Sequence, residues 1–344
     1  MSERERLKTK IADAIRGAVS PAARDALLAE VAAWQAEHNP VLAKLCRARA
    51  ARFDAGPDAW PALPTDVFRF ARVSTHDASL DVRTFLTSGT TSGARGAHVF
   101  RDLFLYDLAA ETAARDALFP ERERIRIAML APHPDDAPDS SLSYMLGRFE
   151  HWFASETFWC WRGGALDLDR LHPALLGAVE EPLPIVICGT SFAFVHADET
   201  MPPSAHWRAP RDSRAMPTGG FKGRSREVDP AAMRTIVAER FGIEHVIGEY
   251  GMTELSSQMY EFDGHLRVPP WVRATPVDPE TLRPVREGQI GILRIDDLAN
   301  LDSAVSIQTA DLARLDPGGR IALIGRAPGA TPRGCSLATE EALS

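Results

Sequence analysis

Short apolar runs alternate with longer helix-forming stretches along the middle of the chain. The runs RIRIAMLAP (124–132) and PIVICGT (184–190) predict buried strands. The stretches 102–118, 141–149 and 229–241 predict helices, the last of them opened by an Asp-Pro pair. Because strands and helices alternate, the pattern predicts a mixed α/β sheet with helices on its faces.

The two ends of the chain have other patterns. Residues 5–37 are rich in Ala, Leu, Glu and Arg, and Pro21 stands where a helix can begin, so two or three helices are predicted before about residue 54. From Leu266 onward, WVRATPV, IGILRI and GRIALIG predict strands separated by Pro and Gly turns. The predicted organisation is a helical segment at 1–54, an α/β core at 55–264 that contains a loop rich in Gly, Ser and Thr, a β-rich subdomain at 265–330 and a tail at 331–344 with Cys335.

Composition argues against several classes of function. The 344 residues include 39 basic and 47 acidic ones, and the net charge of −8 gives no overall positive field for nucleic acid or anionic membranes. The N-terminus MSERERLKTK is charged and no run of 18 apolar residues exists, so neither a signal peptide nor a membrane span is expected. The four cysteines are far apart and form no CxxC pair, which favours a reducing cytoplasm over a disulfide framework or a zinc site.

One loop has an unusual composition. In TSGTTSGARG (87–96), eight of the ten residues are Gly, Ser or Thr. Glycines let the backbone approach a phosphate closely, inward N–H groups form an anion site, and hydroxyls add donors without bulk. The Walker pattern GxxxxGK[ST] does not match. Composition alone leaves two interpretations open, a polyphosphate loop and a flexible surface loop.

Two segments downstream favour the phosphate interpretation. They are EYGMTELSSQMY (249–260) and TADLARLDPGGRIALIGRAPG (309–329), which follow the loop in that order. Together the three motifs resemble those of the adenylate-forming superfamily of acyl- and aryl-carboxylate ligases. The forms TSGTTSG, ELSSQMY and GRAPGATPRGCSL are most similar to one branch, the acyl-protein synthetase (LuxE) family, and the similarity spans roughly residues 80 to 340.

This resemblance implies the adenylate-forming N-terminal-domain fold, with mixed sheets, flanking helices and a small β-rich subdomain. It also implies that the chain is an AMP-forming ligase with ATP and Mg²⁺ as cofactors. The substrate would be a carboxylic acid, in this branch a fatty acid, which becomes an acyl-adenylate. The acyl group would then pass to a cysteine as a thioester, and from there to a partner protein, a reductase or a carrier.

The matched motifs assign roles to individual residues. By resemblance, Thr253 contacts phosphate, Glu254 holds Mg²⁺ and Asp311 accepts hydrogen bonds from the ribose hydroxyls. Without the motifs, Glu254 reads as a solvated surface charge and Asp311 as a turn residue before a strand. The implied nucleotide-binding set comprises Thr87, Ser88, Gly89, Thr90, Thr91, Ser92, Gly93, Arg95, Gly219, Gly220, Tyr250, Gly251, Asp311 and Arg326.

The implied set divides by the part of ATP that each residue is expected to contact. Residues 87–93 wrap the β- and γ-phosphates, and Arg95 supplies the positive charge that a lysine often supplies in the superfamily. Tyr250 lies along the adenine, and the Gly219–Gly220 backbone passes beside it. Arg326 lies near the ribose or closes the domain.

The C-terminal tail carries the implied acyl acceptor. Cys335, in PRGCSL, matches the cysteine that accepts the acyl group as a thioester in the acyl-protein synthetase family. A thiol is intrinsically nucleophilic, and the neighbouring Arg333 favours the thiolate. The alternative is a cysteine without a role, in a tail that is expected to be mobile.

Three further expectations concern what surrounds these motifs. Most adenylate-forming enzymes continue after the GR motif with a small domain that delivers a catalytic lysine, but only 18 residues follow Arg326, so we expect that domain to be absent. Cys46, Cys160 and Cys188 are expected to be structural. The aromatic stretch FEHWFASETFWCW (149–161) fits core packing better than the wall of an acyl pocket.

Three functions remain open from the sequence. The first is acid activation followed by transfer through Cys335 to a partner protein. The second is an adenylate-forming ligase that passes the acyl group to a small molecule or a carrier protein without Cys335. The third is a lidless scaffold that binds nucleotide or acyl ligand and regulates a partner without turnover.

Overall fold

The structure is a computed structural model that describes residues 1–87, 94–120, 124–181, 183–202, 206–219, 228–327 and 333–343, with the backbone alone at 333–337. Outside the described residues lie Ser88, Gly89, Thr90, Thr91, Ser92, Gly93 and Gly220, and the side chain of Cys335.

The helices are α1 (Glu3–Arg16), α2 (Pro21–His38), α3 (Pro40–Ala48), α4 (Phe104–Ala117), α5 (Ser141–Phe153), α6 (Leu168–Glu180), α7 (Ser191–Thr200), α8 (Pro230–Phe241) and α9 (Arg333–Leu343). The strands are β1 (Leu63–Pro64), β2 (Arg83–Leu86), β3 (Ala97–Phe100), β4 (Ile125–Leu130), β5 (Ala154–Trp159), β6 (Trp161–Arg162), β7 (Ala165–Leu166), β8 (Ile185–Thr190), β9 (Arg214–Thr218), β10 (His245–Val246), β11 (Gly248–Tyr250), β12 (Met259–Phe262), β13 (His265–Arg267), β14 (Val272–Val277), β15 (Ile290–Asp297), β16 (Ser306–Leu315) and β17 (Ile321–Arg326).

The chain forms two compact units. Unit 1 contains Met1–Thr112, Met252–Met259 and Gly264–Ser344, and unit 2 contains Ala113–Gly251 and Tyr260–Asp263. The described ends of the phosphate loop and the motif residues Thr253 and Asp311 therefore belong to unit 1. Gly219 and Tyr250 belong to unit 2.

A parallel sheet forms the centre of unit 2, in the order β11–β9–β8–β4–β5, with β10 also paired to β9. Strand β8 is buried along almost its whole length, as its continuous apolar run predicts for the middle of a parallel sheet. A Cβ on Gly189 would lie 2.6 Å from Leu130 Cβ, so the glycine permits the close approach of β8 to β4. Helices α7 and α8 cover the sheet through Phe194 and Phe241, which are fully buried in its apolar core.

An antiparallel sheet forms the centre of unit 1, in the order β14–β15–β16–β17–β13, and β1 pairs in parallel with β16. Two amide side chains connect the N-terminal helices to the loop that follows β15. Gln35 of α2 is fully buried, and its Nε2 donates to the carbonyls of Asn300 at 2.7 Å and Leu301 at 2.8 Å. Asn39, the N-cap of α3, donates to the Ser303 carbonyl at 3.0 Å. The helices before residue 54 therefore hold this loop in place.

Most of the predicted elements are confirmed, among them α1 to α3 before residue 54, α4, α5, α8, β4, β8, β14, β15 and β17. The sequence did not indicate β16, which contains the polar pair Gln308 and Thr309. Both side chains are buried because they donate to the Leu293 carbonyl of β15, at 3.1 Å and 2.8 Å. In the described part of the chain, no helix combines the length and the apolar character that crossing a membrane requires.

The expectation of a mobile C-terminal tail is wrong, because residues 333–343 form helix α9. Its Ala338 and Ala342 are buried, and Lys44 Nζ donates to the Leu343 carbonyl at 3.3 Å. Arg49 of the segment after α3 pairs with Glu341. Alanine, leucine and glutamate favour a helix, and these contacts attach it to the N-terminal helices.

The aromatic stretch contributes to the core of unit 2, as its composition predicted. Phe149 and Phe153 are buried, and the ring of Phe153 stacks on Phe119 with 4.2 Å between centroids. Cys160 and Cys188 are buried as well, and burial raises the pKa of the Cys160 thiol to about 12. This burial agrees with a structural role for both cysteines.

Candidate functional site

The phosphate loop connects the two strands of an antiparallel hairpin, β2 and β3. Two hydrogen bonds join its ends, from Thr87 N to the Gly96 carbonyl and from Gly96 N to Thr87 Oγ1, each at 2.8 Å. Arg69 Nε donates to the Ala94 carbonyl at 3.1 Å. The described ends of the loop are therefore fixed to the hairpin that carries them.

Arg95 bonds the backbone of its own hairpin. Its Nε donates to the Thr87 carbonyl at 2.6 Å, and its Nη2 donates to the Leu86 carbonyl at 3.1 Å. Although these bonds fix the guanidinium, the residue as a whole is exposed. The positive charge assigned to the phosphates thus lies at the base of the loop.

A buried turn carries Thr253 and Glu254. Glu254 is only 8% exposed, so the interpretation of a solvated surface charge is wrong. The backbone carbonyls of both residues are bonded by side chains from distant parts of unit 1. His98 Nδ1 lies 2.8 Å from the Thr253 carbonyl, and Asn300 Nδ2 donates to the Glu254 carbonyl at 2.9 Å. The two motif residues are therefore held through their backbone.

The carboxylate of Asp297 bonds the residues that follow Glu254. It accepts from the backbone N–H groups of Ser256 at 3.1 Å and Ser257 at 2.8 Å, and from Ser257 Oγ at 2.7 Å. Trp271 Nε1 also donates to Ser257 Oγ, at 2.9 Å. Burial raises the pKa of Asp297, and these hydrogen bonds oppose the rise because they favour the carboxylate. These bonds fix Ser256 and Ser257, the last two residues of the ELSS segment (254–257), to Asp297 of β15.

His98 is buried on β3, two residues after the phosphate loop ends. Because a carbonyl can only accept, Nδ1 carries the proton in the bond to Thr253. Burial lowers the pKa of the imidazole to about 4, and the bond to Thr253 and the charge of Asp302 oppose this shift. The ring is therefore neutral at pH 7, in the tautomer with hydrogen on Nδ1.

The buried imidazole makes the stability of the fold depend on pH. The folded protein protonates His98 only near pH 4, whereas the unfolded chain does so near the ordinary value of 6.5. The unfolded state therefore binds more protons between these values, so the free energy of unfolding falls as pH is lowered through this window, by about 3 kcal/mol in total. Denaturant unfolding at a series of pH values should show a shallower fall in His98→Asn. An equal slope in wild type and His98→Asn would contradict the assignment.

Asp311 and Arg326 are direct neighbours on β16 and β17. Asp311 lies inside a strand, so the interpretation of a turn residue before a strand is wrong. Its backbone N–H donates to Thr309 Oγ1 at 3.1 Å. The strand register thus brings together the two residues that the resemblance assigns to the ribose.

In unit 2, the residues assigned to adenine lie at the carboxyl ends of adjacent parallel strands. Thr218 of β9 and Glu249 of β11 are register partners, so Gly219 and Tyr250 follow at the same edge. Gly219 has φ +68°, a conformation that favours glycine. Open parallel sheets bind ligands at this edge.

Sequence analysis missed Glu249, which directly precedes Tyr250. Thr218 Oγ1 donates to its carboxylate. Burial raises the pKa of the Glu249 carboxyl to about 7, and the hydrogen bond from Thr218 opposes the shift. The only signal in the sequence was the position of this carboxylate beside the YGMTE motif. His98, Asp297 and Asn300 were also missed, and nothing near them in the sequence marks their role.

The buried carboxylate of Glu254 is a type of group that can hold Mg²⁺. In the ranges that the structure describes, no group of three or more His, Cys, Asp or Glu side chains could hold a metal ion by itself. Mg²⁺ is usually held by one or two carboxylates together with substrate phosphates and water. A single buried carboxylate at Glu254 fits that arrangement when a nucleotide supplies the remaining oxygens.

The fold is similar to that of solved adenylate-forming ligases. An open conformation of 2-hydroxyisobutyryl-CoA ligase in complex with 2-HIB-AMP and CoA matches with a TM-score of 0.67 at 17% identity, over 93% of this chain and 79% of that chain. ATP-bound MatB from Rhodopseudomonas palustris matches with a TM-score of 0.50 at 16% identity, over 73% of this chain and 49% of that chain. The present chain thus spans about half the length of MatB. These likenesses confirm the predicted α/β fold of the adenylate-forming type.

Two relatives share a name and resemble the chain in sequence. The long-chain-fatty-acid–luciferin-component ligase of Aliivibrio fischeri is 22% identical over 301 residues, which are 81% of this chain and 78% of that protein. The ligase of the same name from Vibrio harveyi is 26% identical over 145 residues, which are 39% of this chain and 38% of that protein. Both names agree with the prediction that the chain is a ligase. The profile of the family described as acyl-protein synthetase, LuxE, matches residues 20–344. The chain therefore belongs to the acyl-protein synthetase family LuxE.

Proposed function

We propose that this chain uses ATP to activate a carboxylic acid, and that the acyl group then passes to Cys335 and on to a partner protein. The observation that carries the proposal is the buried turn of Thr253 and Glu254, whose carbonyls are bonded by His98 and Asn300. His98 follows the phosphate loop on β3, so a single side chain connects two of the motifs that we assign to ATP. Such fixed groups are what a reaction at a triphosphate needs.

In the first step, an oxygen of the substrate carboxylate attacks the α-phosphorus of ATP. The bond from this phosphorus to the oxygen that bridges the β-phosphate breaks, and pyrophosphate leaves. No proton is transferred, because the acid enters as its carboxylate. Since there is little covalent chemistry for the protein to perform, groups that neutralise and align the triphosphate determine the rate.

The residues proposed for the phosphates and the ribose come from the loop and motifs described above. Loop 87–96, with Arg95 at its base, binds the β- and γ-phosphates, and Thr253 contacts a phosphate oxygen. Glu254 would hold Mg²⁺, which would supply positive charge to the triphosphate. Asp311 accepts hydrogen bonds from the ribose hydroxyls, for which an ionised carboxylate is suited.

The residues proposed for adenine follow β9 and β11. The Gly219–Gly220 backbone passes beside the base, and Tyr250 and Gly251 lie along it. The carboxyl ends of β9 and β11 support this assignment, because the residues that follow two paired parallel strands share one edge of the sheet.

In the second step, the Cys335 thiolate attacks the acyl carbon of the acyl-adenylate. The bond from the acyl carbon to the AMP oxygen breaks, AMP leaves and a thioester forms. The thioester stays activated for transfer to a reductase or a carrier protein. Cys335 is the third residue of α9.

A long-chain fatty acid is the proposed substrate. Both relatives are named for that acid, and the Aliivibrio fischeri protein is matched over most of its length. The fold by itself does not select the acid, because one fold hosts many substrates.

Exchange of labelled pyrophosphate into ATP tests the first step. We expect exchange that depends on long-chain fatty acids and exceeds that with aryl acids or amino acids in the same panel. Free acyl-adenylate captured by an added amine or thiol, with Cys335 dispensable, would favour a ligase with a small acceptor or carrier. Calorimetric ATP binding without exchange for any acid would contradict the proposal and favour a regulatory scaffold.

A further inference from the structure

We infer that His98 and Asn300 are positioning residues for adenylation, which hold the backbone carbonyls of Thr253 and Glu254 where these residues can meet the phosphates and Mg²⁺. This inference rests on the proposed function and deepens it, since it assigns roles to two residues outside the recognised motifs. We call the turn 253–257, together with His98, Asp297 and Asn300, the clamp.

The clamp takes its donors from two separate elements of unit 1. His98 belongs to β3, and Asn300 to the loop that follows β15. They bond two consecutive carbonyls, of Thr253 at 2.8 Å and of Glu254 at 2.9 Å. Because the bonded carbonyls are consecutive, loss of either donor changes the path of the backbone between the proposed phosphate contact and the proposed metal ligand.

Both donors are themselves held in place. The His98 ring lies against Phe100, with 4.1 Å between centroids, and edge-on to Phe68 at 5.7 Å. The Asn300 side chain also donates to the Ala304 carbonyl at 3.1 Å, and the Asn300 backbone carbonyl accepts from Gln35 at 2.7 Å. A side chain with such fixed contacts can hold its partner within the small tolerance that a reacting group requires.

Burial raises the free-energy cost of losing the hydrogen bonds that His98 and Asn300 donate. His98 and Asn300 are each 1% exposed, so water cannot readily replace a donor that is removed. A carbonyl left unsatisfied in such surroundings carries the full cost of its desolvation, which favours movement of the turn. The bond from His98 to the Thr253 carbonyl also connects the turn to β3, the strand that follows the phosphate loop. Without this bond, the loop and the turn are no longer held to each other by His98.

The two donors predict different defects. Asn300 holds the residue proposed to bind Mg²⁺, and loss of a group that orients a metal ligand typically weakens metal binding ~10- to 100-fold. His98 holds the residue proposed to contact phosphate, and a displacement of about 1 Å at a reacting group costs ~100-fold in rate. A purely structural role would instead lower the folded fraction and leave both dependences unchanged.

Four variants test the inference. His98→Leu removes the donor, and His98→Asn keeps an N–H donor at nearly the same place. Asn300→Ala removes the second donor. Ser303→Ala is the matched control, because Ser303 is equally buried in the same loop and its Oγ has no hydrogen-bond partner among the described residues.

The readouts are pyrophosphate exchange, calorimetric titration with ATP in the presence and absence of Mg²⁺, and hydrogen exchange of segment 252–260. We expect His98→Leu to lower kcat ~100-fold with an unchanged KM for the acid, and His98→Asn to stay near wild type. Asn300→Ala should raise the Mg²⁺ concentration for half-maximal rate ~10-fold, and weaken ATP binding only when Mg²⁺ is present. Hydrogen exchange in 252–260 should accelerate in His98→Leu and Asn300→Ala but not in Ser303→Ala.

Failure of the inference is distinct from failure of the proposed function. If wild type exchanges pyrophosphate but Asn300→Ala keeps the wild-type Mg²⁺ dependence, and His98→Asn is as slow as His98→Leu, the positioning roles are wrong. If wild type shows no exchange with any acid, the proposed function fails instead, and the hydrogen-exchange comparison with Ser303→Ala still decides whether the clamp exists. Should His98→Leu not fold, His98→Asn and Asn300→Ala carry the test.

Discussion

Replacing Cys335 by serine is expected to abolish the hydroxylamine-sensitive acyl label on the protein while acid-dependent pyrophosphate exchange continues at the wild-type rate. The two steps separate because the thiol takes no part in the attack of the carboxylate on ATP. A serine hydroxyl is a far weaker nucleophile than a thiolate at neutral pH. The label is measured with radioactive acid and ATP, followed by neutral hydroxylamine.

The other cysteines provide matched controls. Burial raises the pKa of the Cys46 thiol to about 11 and that of Cys160 to about 12, so neither is a ready nucleophile at neutral pH. Cys46→Ser should therefore keep both the label and the exchange. A label that survives in Cys335→Ser would remove this residue from the reaction, and loss of exchange together with the label would show that the substitution damages the first step.

Local sequence patterns predicted the elements that are buried through runs of consecutive apolar residues. The apolar run at 184–190 gives the central strand β8, because a strand covered on both faces needs apolar residues at every position. Strand β16 escaped prediction because Gln308 and Thr309 are buried through bonds to the carbonyl of Leu293, a partner that only the folded sheet provides. The α9 helix escaped prediction because its position near the chain end suggested a tail.

The sequence likewise predicted one part of the candidate site and not the other. The phosphate loop, the YGMTE turn and the TADL strand are short motifs that the sequence displays directly. The clamp could not be predicted, because His98 lies 155 positions from Thr253 and Asn300 lies 46 from Glu254. A lone histidine and a lone asparagine carry no pattern until the fold brings them to these carbonyls.

The N-terminal helices also contribute hydrogen bonds that hold the clamp in place. Gln35 of α2 bonds the carbonyl of Asn300 across 265 positions of sequence. Asn300 in turn bonds the carbonyl of Glu254. A continuous series of buried hydrogen bonds therefore leads from α2 to the proposed metal ligand, within unit 1.

Replacing Glu254 by glutamine is expected to lower acid-dependent pyrophosphate exchange ~100- to 1,000-fold, as when a group that stabilises transition-state charge is removed. Glutamine keeps the size of the side chain and leaves the backbone carbonyl that Asn300 bonds, so the turn should stay in place. What is lost is the negative charge that holds Mg²⁺ beside the phosphates. Rates are measured over a range of Mg²⁺ concentrations, together with the rise in melting temperature that ATP and Mg²⁺ produce.

Glu261→Gln is the control for this substitution, since Glu261 lies seven positions further on, is partly buried and pairs with Arg234 at 3.8 Å. It should keep wild-type exchange, and its melting temperature should rise with ATP and Mg²⁺ as that of wild type does, because binding to the folded state stabilises it. In Glu254→Gln, the rise should persist with ATP alone and lose its Mg²⁺-dependent part. A Glu254→Gln protein that exchanges pyrophosphate at the wild-type rate and at the wild-type Mg²⁺ concentration would place the metal on other oxygens. The burial of this carboxylate would then serve the fold of the turn rather than the reaction.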